Sequence, residues 1–166
     1  MSQLVFAYGS NMCSGRFRDY KVSPENEGSG ALLREYRLRF NKLSGKDKSG
    51  KANVEPHPDG QVWGVLYSIP DADLKTLDAG EGRGYYRIRL PVCLTCGGTI
   101  EAWMYVASKP SSDPALRPYI WYKRFLVEGA QEHLLPPEYI ADLGRIDAIE
   151  DPDEQRDRER QALACR

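Results

Sequence analysis

The sequence predicts an α+β protein. Three observations carry that reading. Segments of strand character fill the first two thirds of the chain, helical periodicity dominates the last third, and no alternating βαβ pattern joins the two. No G-x-G-x-x-G follows a strand and no P-loop pattern occurs. Glu81-Gly82-Arg83-Gly84 is glycine-rich but follows a helical segment, so it does not read as a phosphate loop.

Leu4-Val5-Phe6-Ala7 is a short apolar run of the kind that forms a buried strand, and it opens into Tyr8-Gly9-Ser10-Asn11. Gly15 to Gly30 is polar and irregular, with a helical turn near Arg16-Phe17. From Ala31 to Asn41 the pattern has period two: Tyr36, Leu38 and Phe40 share one face, Arg37 and Arg39 the other. Leu43 to Lys51 is Lys, Gly and Ser and reads as a mobile loop. Lys51 to Val54 reads as a short strand that Pro56 and Pro58 end, and Asp59-Gly60 as a turn into the strand Gln61 to Ile69. Gly64 inside that strand marks a bulge or a close approach of other atoms. Pro70-Asp71 opens a short helix with Leu74 and Leu77 on one face, ended by Gly80 and Gly82 around Glu81.

Tyr85 to Cys93 and Thr99 to Ala107 form a hairpin around Gly97-Gly98. Lys109 to Pro118 is a proline-rich surface loop. Tyr119 to His133 carries Tyr119, Tyr122, Leu126 and Ala130 near one helical stripe. Leu134-Leu135-Pro136-Pro137 breaks it, and Pro137 opens a helix over Glu138 to Arg145. From Glu150 the chain is dense in mixed charge and reads as frayed helix or disorder without a catalytic role. The organisation expected is one domain over residues 1–150 and a charged tail over 151–166.

Length and charge set bounds. At 166 residues the chain can bury a real core. A net charge of -1 gives no argument for nucleic acid or an anionic membrane surface, and no apolar run is long enough to span a bilayer. Met1-Ser2-Gln3 leads straight into the first strand without a signal-peptide pattern, so the expected location is cytoplasmic. In that compartment the four cysteines, Cys13, Cys93, Cys96 and Cys165, are expected to be reduced. Cys93-Leu94-Thr95-Cys96 has redox and zinc spacing, but no second Cys/His pair completes a zinc site and the pair runs into a hairpin turn, not a helix N-terminus. It reads as two thiols flanking a β-turn.

Two stretches can carry chemistry. A buried strand opening into Gly9-Ser10-Asn11 leaves backbone N–H groups without ladder partners, a nest suited to a carboxylate, or else a plain turn. Glu81 lies between glycines that permit close approach, with Tyr85 and Tyr86 able to wall it. A carboxylate so enclosed has its pKa raised toward neutrality, as a general acid/base requires; a solvated Glu in a glycine turn is the alternative. Ser10 lacks a nucleophile elbow, and neither His57 nor His133 is placed for a triad.

Phe6-Ala7-Tyr8-Gly9-Ser10-Asn11, Val62-Trp63-Gly64-Val65, Leu77-Asp78-Ala79-Gly80-Glu81-Gly82, Gly129-Ala130-Gln131-Glu132 and Leu135-Pro136-Pro137-Glu138-Tyr139 follow one another in an order that resembles the γ-glutamylcyclotransferase family over residues 4 to 147. The resemblance implies a small mixed β-barrel with surrounding helices and a small-molecule γ-glutamyl substrate. The substrate's α-amine attacks its own δ-carbonyl, giving 5-oxoproline and a free amino acid or amine without a cofactor or metal. It assigns Glu81 as acid/base, Tyr8, Gly9, Ser10 and Asn11 as the substrate-binding loop, and Tyr119 as the tyrosine that closes over the substrate. Ala79-Gly80 and the short segment from Glu81 to Tyr86 depart from the family pattern, which leaves the leaving group open. A non-catalytic binding module that kept the nest and lost the chemistry is the alternative. Family precedent and the aromatics Trp121 and Tyr122 suggest a homodimer.

Overall fold

A computed structural model describes residues 1–165. Five strands form a closed barrel in the order β1-β3-β2-β4-β5: β1 (Ser2–Ala7), β2 (Ser29–Leu43), β3 (Gly50–Pro70), β4 (Tyr85–Leu94) and β5 (Thr99–Ala107). Four of the neighbouring pairs are antiparallel, and the barrel closes where β1 meets β5 in parallel at Val5 and Trp103. Around it lie α1 (Arg16–Tyr20), α2 (Asp71–Glu81), α3 (Ile120–Glu132), α4 (Pro137–Gly144) and α5 (Glu154–Gln161). This is the α+β class and mixed barrel expected. One core runs through Phe6, Tyr67, Met104, Phe125 and Leu126, all essentially inaccessible.

The long strand β3 corrects the sequence reading. Pro56 and Pro58 do not end a strand; the chain continues from Gly50 to Pro70. The ladder tolerates them because its register breaks there. Tyr36 pairs with Pro56 and Arg34 with Gln61, so His57 to Gly60 lie opposite Glu35 alone. Glu35 takes a positive φ of 62° to turn the corner. Pro58 falls inside this break, with no ladder bond for a proline to remove, and Pro56 is the last paired position before it. Gly64 marks a close approach, as its place in the strand suggested: a Cβ there would stand 2.5 Å from the Ala7 carbonyl oxygen and 2.6 Å from the Phe6 ring.

The β2–β3 connection is fixed by its own side chains, not left mobile. Ser44 Oγ accepts from the N–H groups of Lys46 and Asp47 at 3.2 and 3.3 Å, and Asp47 accepts from the Ser49 N–H and hydroxyl. Lys51 closes the turn on Asp47 at 2.8 Å. Short polar residues hydrogen-bonding to nearby backbone are what makes a polar stretch a defined turn.

The charged tail is likewise ordered. Asp153 caps α5 by accepting the Arg156 N–H at 3.0 Å. Asp151 is buried, accepts from Trp121 Nε1 at 2.9 Å, and pairs with Arg156. Arg124 donates to the carbonyls of Arg160 and Leu163. Cys13 and Cys165, expected as thiols, form a disulfide with their Cα atoms 4.8 Å apart. Their separation of 152 residues carries no local sign of pairing, which only the tertiary fold creates. Cys93 and Cys96 are free; Cys93 lies in β4 and Cys96 inside the turn that Gly97 and Gly98 close, both at positive φ. Trp121 and Tyr122 point into the core, so they no longer argue for a dimer face.

Candidate active site

At the end of β1 the chain tightens into a single 3-10 turn, Ser10–Met12. Such a turn leaves its first N–H groups without internal partners. Among the described residues, the N–H groups of Gly9, Ser10 and Asn11 make no backbone bond, while the next two, of Met12 and Cys13, return to the Gly9 and Ser10 carbonyls at 3.1 Å each. Gly9 sits in a tight place: a Cβ there would lie 3.1 Å from the Ala52 methyl and 3.2 Å from the Tyr122 hydroxyl.

Glu81 arrives from the opposite side as the last residue of α2, which Gly82 ends at φ 82°. Gly80 lets this helix end approach α1 closely, since a Cβ there would meet the Tyr20 ring at 2.3 Å. The two segments, seventy residues apart, join in one hydrogen bond in which Asn11 Nδ2 donates to Glu81 Oε1. The residue is partly exposed at the helix end, but its carboxyl group is surrounded by protein. That burial pushes the Glu81 carboxyl up to about 7, against the opposing pull of the Asn11 hydrogen bond and the charges of Arg16 and Lys42. Asn11 Oδ1 is buried without a partner.

Both segments line one small cavity of about 50 Å³, shared by Tyr8, Gly9, Ser10, Asn11 and Glu81 and walled by Ala52, Tyr85, Tyr105 and Tyr122. The tyrosines are anchored. Tyr8 donates to the Tyr105 carbonyl, Tyr85 to the Ala52 carbonyl at 2.7 Å, and Tyr105 to Asp78 at 2.8 Å. The Tyr122 hydroxyl accepts the Ala52 N–H at 3.0 Å. Burial raises the Tyr8 and Tyr85 hydroxyls well above their usual value, so they stay neutral hydrogen-bonding groups.

Tyr119 is not among the residues lining this cavity. It precedes α3 and donates to the Asp47 carbonyl at 2.8 Å. Tyr122, one helical turn on, does line it. Of the adjacent Tyr85 and Tyr86, strand alternation sends Tyr85 inward and leaves Tyr86 49% exposed. The sequence reading also missed Tyr105 and Ala52, which lie on separate strands and carry no local signal.

A broader groove opens beside the cavity and shares Ser10, Glu81, Tyr85 and Tyr122 with it. An enclosed carboxyl poised near neutrality, free N–H donors for an anion and an adjoining open groove can hold a small zwitterion and move its proton.

Comparison with known proteins agrees with this geometry. The pattern of the AIG2-like family matches residues 61–143. Human γ-glutamylcyclotransferase is 31% identical over 157 residues, covering 88% of this chain and 79% of the relative. The bovine protein of the same name is 32% identical over 153 residues with the same coverage. A solved γ-glutamyl cyclotransferase superposes with a TM-score of 0.83 at 26% identity, over 97% of this chain and 99% of that one. With the fold, the order of its motifs and these relatives in agreement, the chain belongs to the γ-glutamylcyclotransferase family.

Proposed function

We propose that this chain is a γ-glutamylcyclotransferase that converts γ-glutamyl amides into 5-oxoproline and a free amino acid or amine, with Glu81 as its acid/base. The observation that carries the reading is the Asn11–Glu81 hydrogen bond inside the cavity, which brings an acid/base within a small molecule's reach of the free N–H donors. Homologues named for this activity support it.

The chemistry follows from the groups present. The α-carboxylate of the γ-glutamyl unit docks on the N–H groups of Gly9, Ser10 and Asn11. Its ammonium, which must lose a proton to become a nucleophile, faces Glu81 and the unpartnered Asn11 Oδ1. Glu81 takes that proton. The amine nitrogen bonds to the δ-carbonyl carbon, the amide C–N bond breaks, and Glu81 returns the proton to the departing nitrogen; the ring nitrogen then gives up its second proton, by way of Glu81, to the released amine, which leaves as an ammonium. The reaction is already intramolecular, so folding the glutamyl chain between Tyr8, Tyr85 and Tyr122 supplies much of the acceleration.

The test is a 5-oxoproline assay over a panel of γ-glutamyl amino acids and amines. Glu81→Gln is expected to lose roughly a hundred- to ten-thousand-fold in kcat. In the unsubstituted protein kcat/KM should rise with pH around about 7, because the base works ionised. Full activity of Glu81→Gln would remove Glu81 from the mechanism, and ligand binding without product would identify a non-catalytic module.

A further inference from the structure

The groove beside Glu81 contains more positive than negative charge, and its carboxylates are engaged. Asp47 is paired with Lys51 at 2.8 Å, and Asp19 is paired with Arg16 and with Arg160 at 3.7 Å. Glu81 is enclosed and bonded to Asn11. Lys42, Lys46 and Arg83 also line the groove and take part in no ion pair among the described residues.

Lys42 is the most informative of the three. It sits near the end of β2, just after a register break, with its ammonium 5.0 Å from the Tyr85 ring centroid. Tyr85 is a wall of the catalytic cavity, so the ammonium stands where the cavity meets the groove. Burial is the main influence on the Lys42 pKa and lowers it; the charges of Asp47 and Glu81 pull it back up in part, and that of Lys46 pushes it down. A partly desolvated cation with a like charge nearby and no carboxylate in contact is an unfavourable arrangement that an anionic guest relieves. In the proposed reaction the γ-glutamyl half fills the cavity, and the leaving half must extend from the scissile amide past Glu81 into this groove.

Resting on that reading of the site, we propose that the groove selects anionic leaving groups, acidic amino acids above all, and that Lys42 is the residue that determines this specificity. One carboxylate would leave two of the three cations unmatched; a leaving group with two comes closer to balance. Neutral and cationic amines gain nothing from the groove.

A three-compound series isolates the charge. γ-Glutamylethylamide carries no carboxylate on its leaving group. γ-Glutamylalanine adds one at the first carbon, and γ-glutamylaspartate a second at the next. With release of 5-oxoproline as the readout, kcat/KM is expected to rise by about tenfold at each addition, the scale of a charge-assisted hydrogen bond in a partly exposed site. Lys42→Met should compress the span between the first and last compounds by about tenfold, and Lys42→Arg should restore it. Taking ratios within one variant cancels any effect of Lys42 on the ionisation of Glu81. A flat series in the unsubstituted protein, or a span untouched by Lys42→Met, overturns the proposal while leaving the cyclotransferase reading intact. Failure of all three compounds to release 5-oxoproline overturns the reading of the site itself.

Discussion

Glu81 is a carboxyl group whose pKa its burial raises to about 7, and this has a thermodynamic consequence apart from catalysis. Its folded-state pKa is about 7, against about 4.5 for a glutamate in water. The folded state therefore binds the proton more tightly than the unfolded chain. Below both values the group is protonated in each state and costs nothing. As pH rises from about 4.5 through about 7, the folded protein loses roughly 3 kcal/mol from this one residue. Glu81→Gln, which carries no charge to desolvate, should match the parent near pH 4.5 and exceed its stability by about 2–3 kcal/mol at pH 8, read from urea unfolding at the two pH values. At this scale the sequence was partly legible. Glu81 between two glycines and the Gly-Ser-Asn turn stood out locally, and the fold joined them. Tyr119 and Tyr122 could not be ranked in the same way. They lie a turn apart at the head of one helix, and which reaches the cavity depends on the helix's rotation against the 3-10 turn.

That rotation is set by a contact between elements. Gly129, in α3, lies against the turn after β1, where a Cβ would stand 2.5 Å from the Cys13 nitrogen and from the Met12 carbonyl carbon. Backbone atoms cannot swing aside as a flexible side chain can, so α3 must retreat if the position gains a methyl group. Gly129→Ala should lower stability by about 1–3 kcal/mol even though alanine is the better helix former by about 1 kcal/mol. Gly144, in α4, has nothing within 4 Å of its Cβ position, so Gly144→Ala should be neutral or slightly stabilising when both variants are compared with the parent by thermal melts. The hydrophobic pattern made most elements legible, because periods of 2 and 3.6 are written in single segments. The prolines of β3 misled, since a proline-tolerant bulge depends on a partner strand. Closure of the barrel was implied by the family resemblance and not by the pattern of any strand. β1 and β5 touch at one parallel pair, and neither strand's own pattern specifies a neighbour a hundred residues away.

At the scale of the whole molecule, a disulfide and a buried ion pair fasten the charged C-terminal segment to the active-site side of the barrel. Cys13 follows the 3-10 turn that carries Asn11, and the Gly15 N–H donates to the Cys165 carbonyl at 2.6 Å. Closing so long a loop restricts the unfolded chain by up to about 5 kcal/mol in the entropic picture. Reduction, or Cys165→Ser, should therefore lower Tm by about 10 °C in calorimetry. A Tm unaffected by reductant would mean that the buried Asp151–Arg156 pair and Arg124 hold the segment without the bond. Nothing in the composition announced this fastening. A mixed-charge stretch resembles a solvated tail until Trp121 and Arg156 supply Asp151 with partners.

The same bond makes everything between Cys13 and Cys165 a covalent ring. A protease that opens the Gly97–Gly98 turn would convert that ring to a line without releasing a fragment, since each half keeps one of the two sulfurs. The cut ends of β4 and β5 would still belong to one molecule, at the high effective concentration that a tether provides, and could pair again. Only reduction would part them, so a nick at this turn stays silent until the redox state changes.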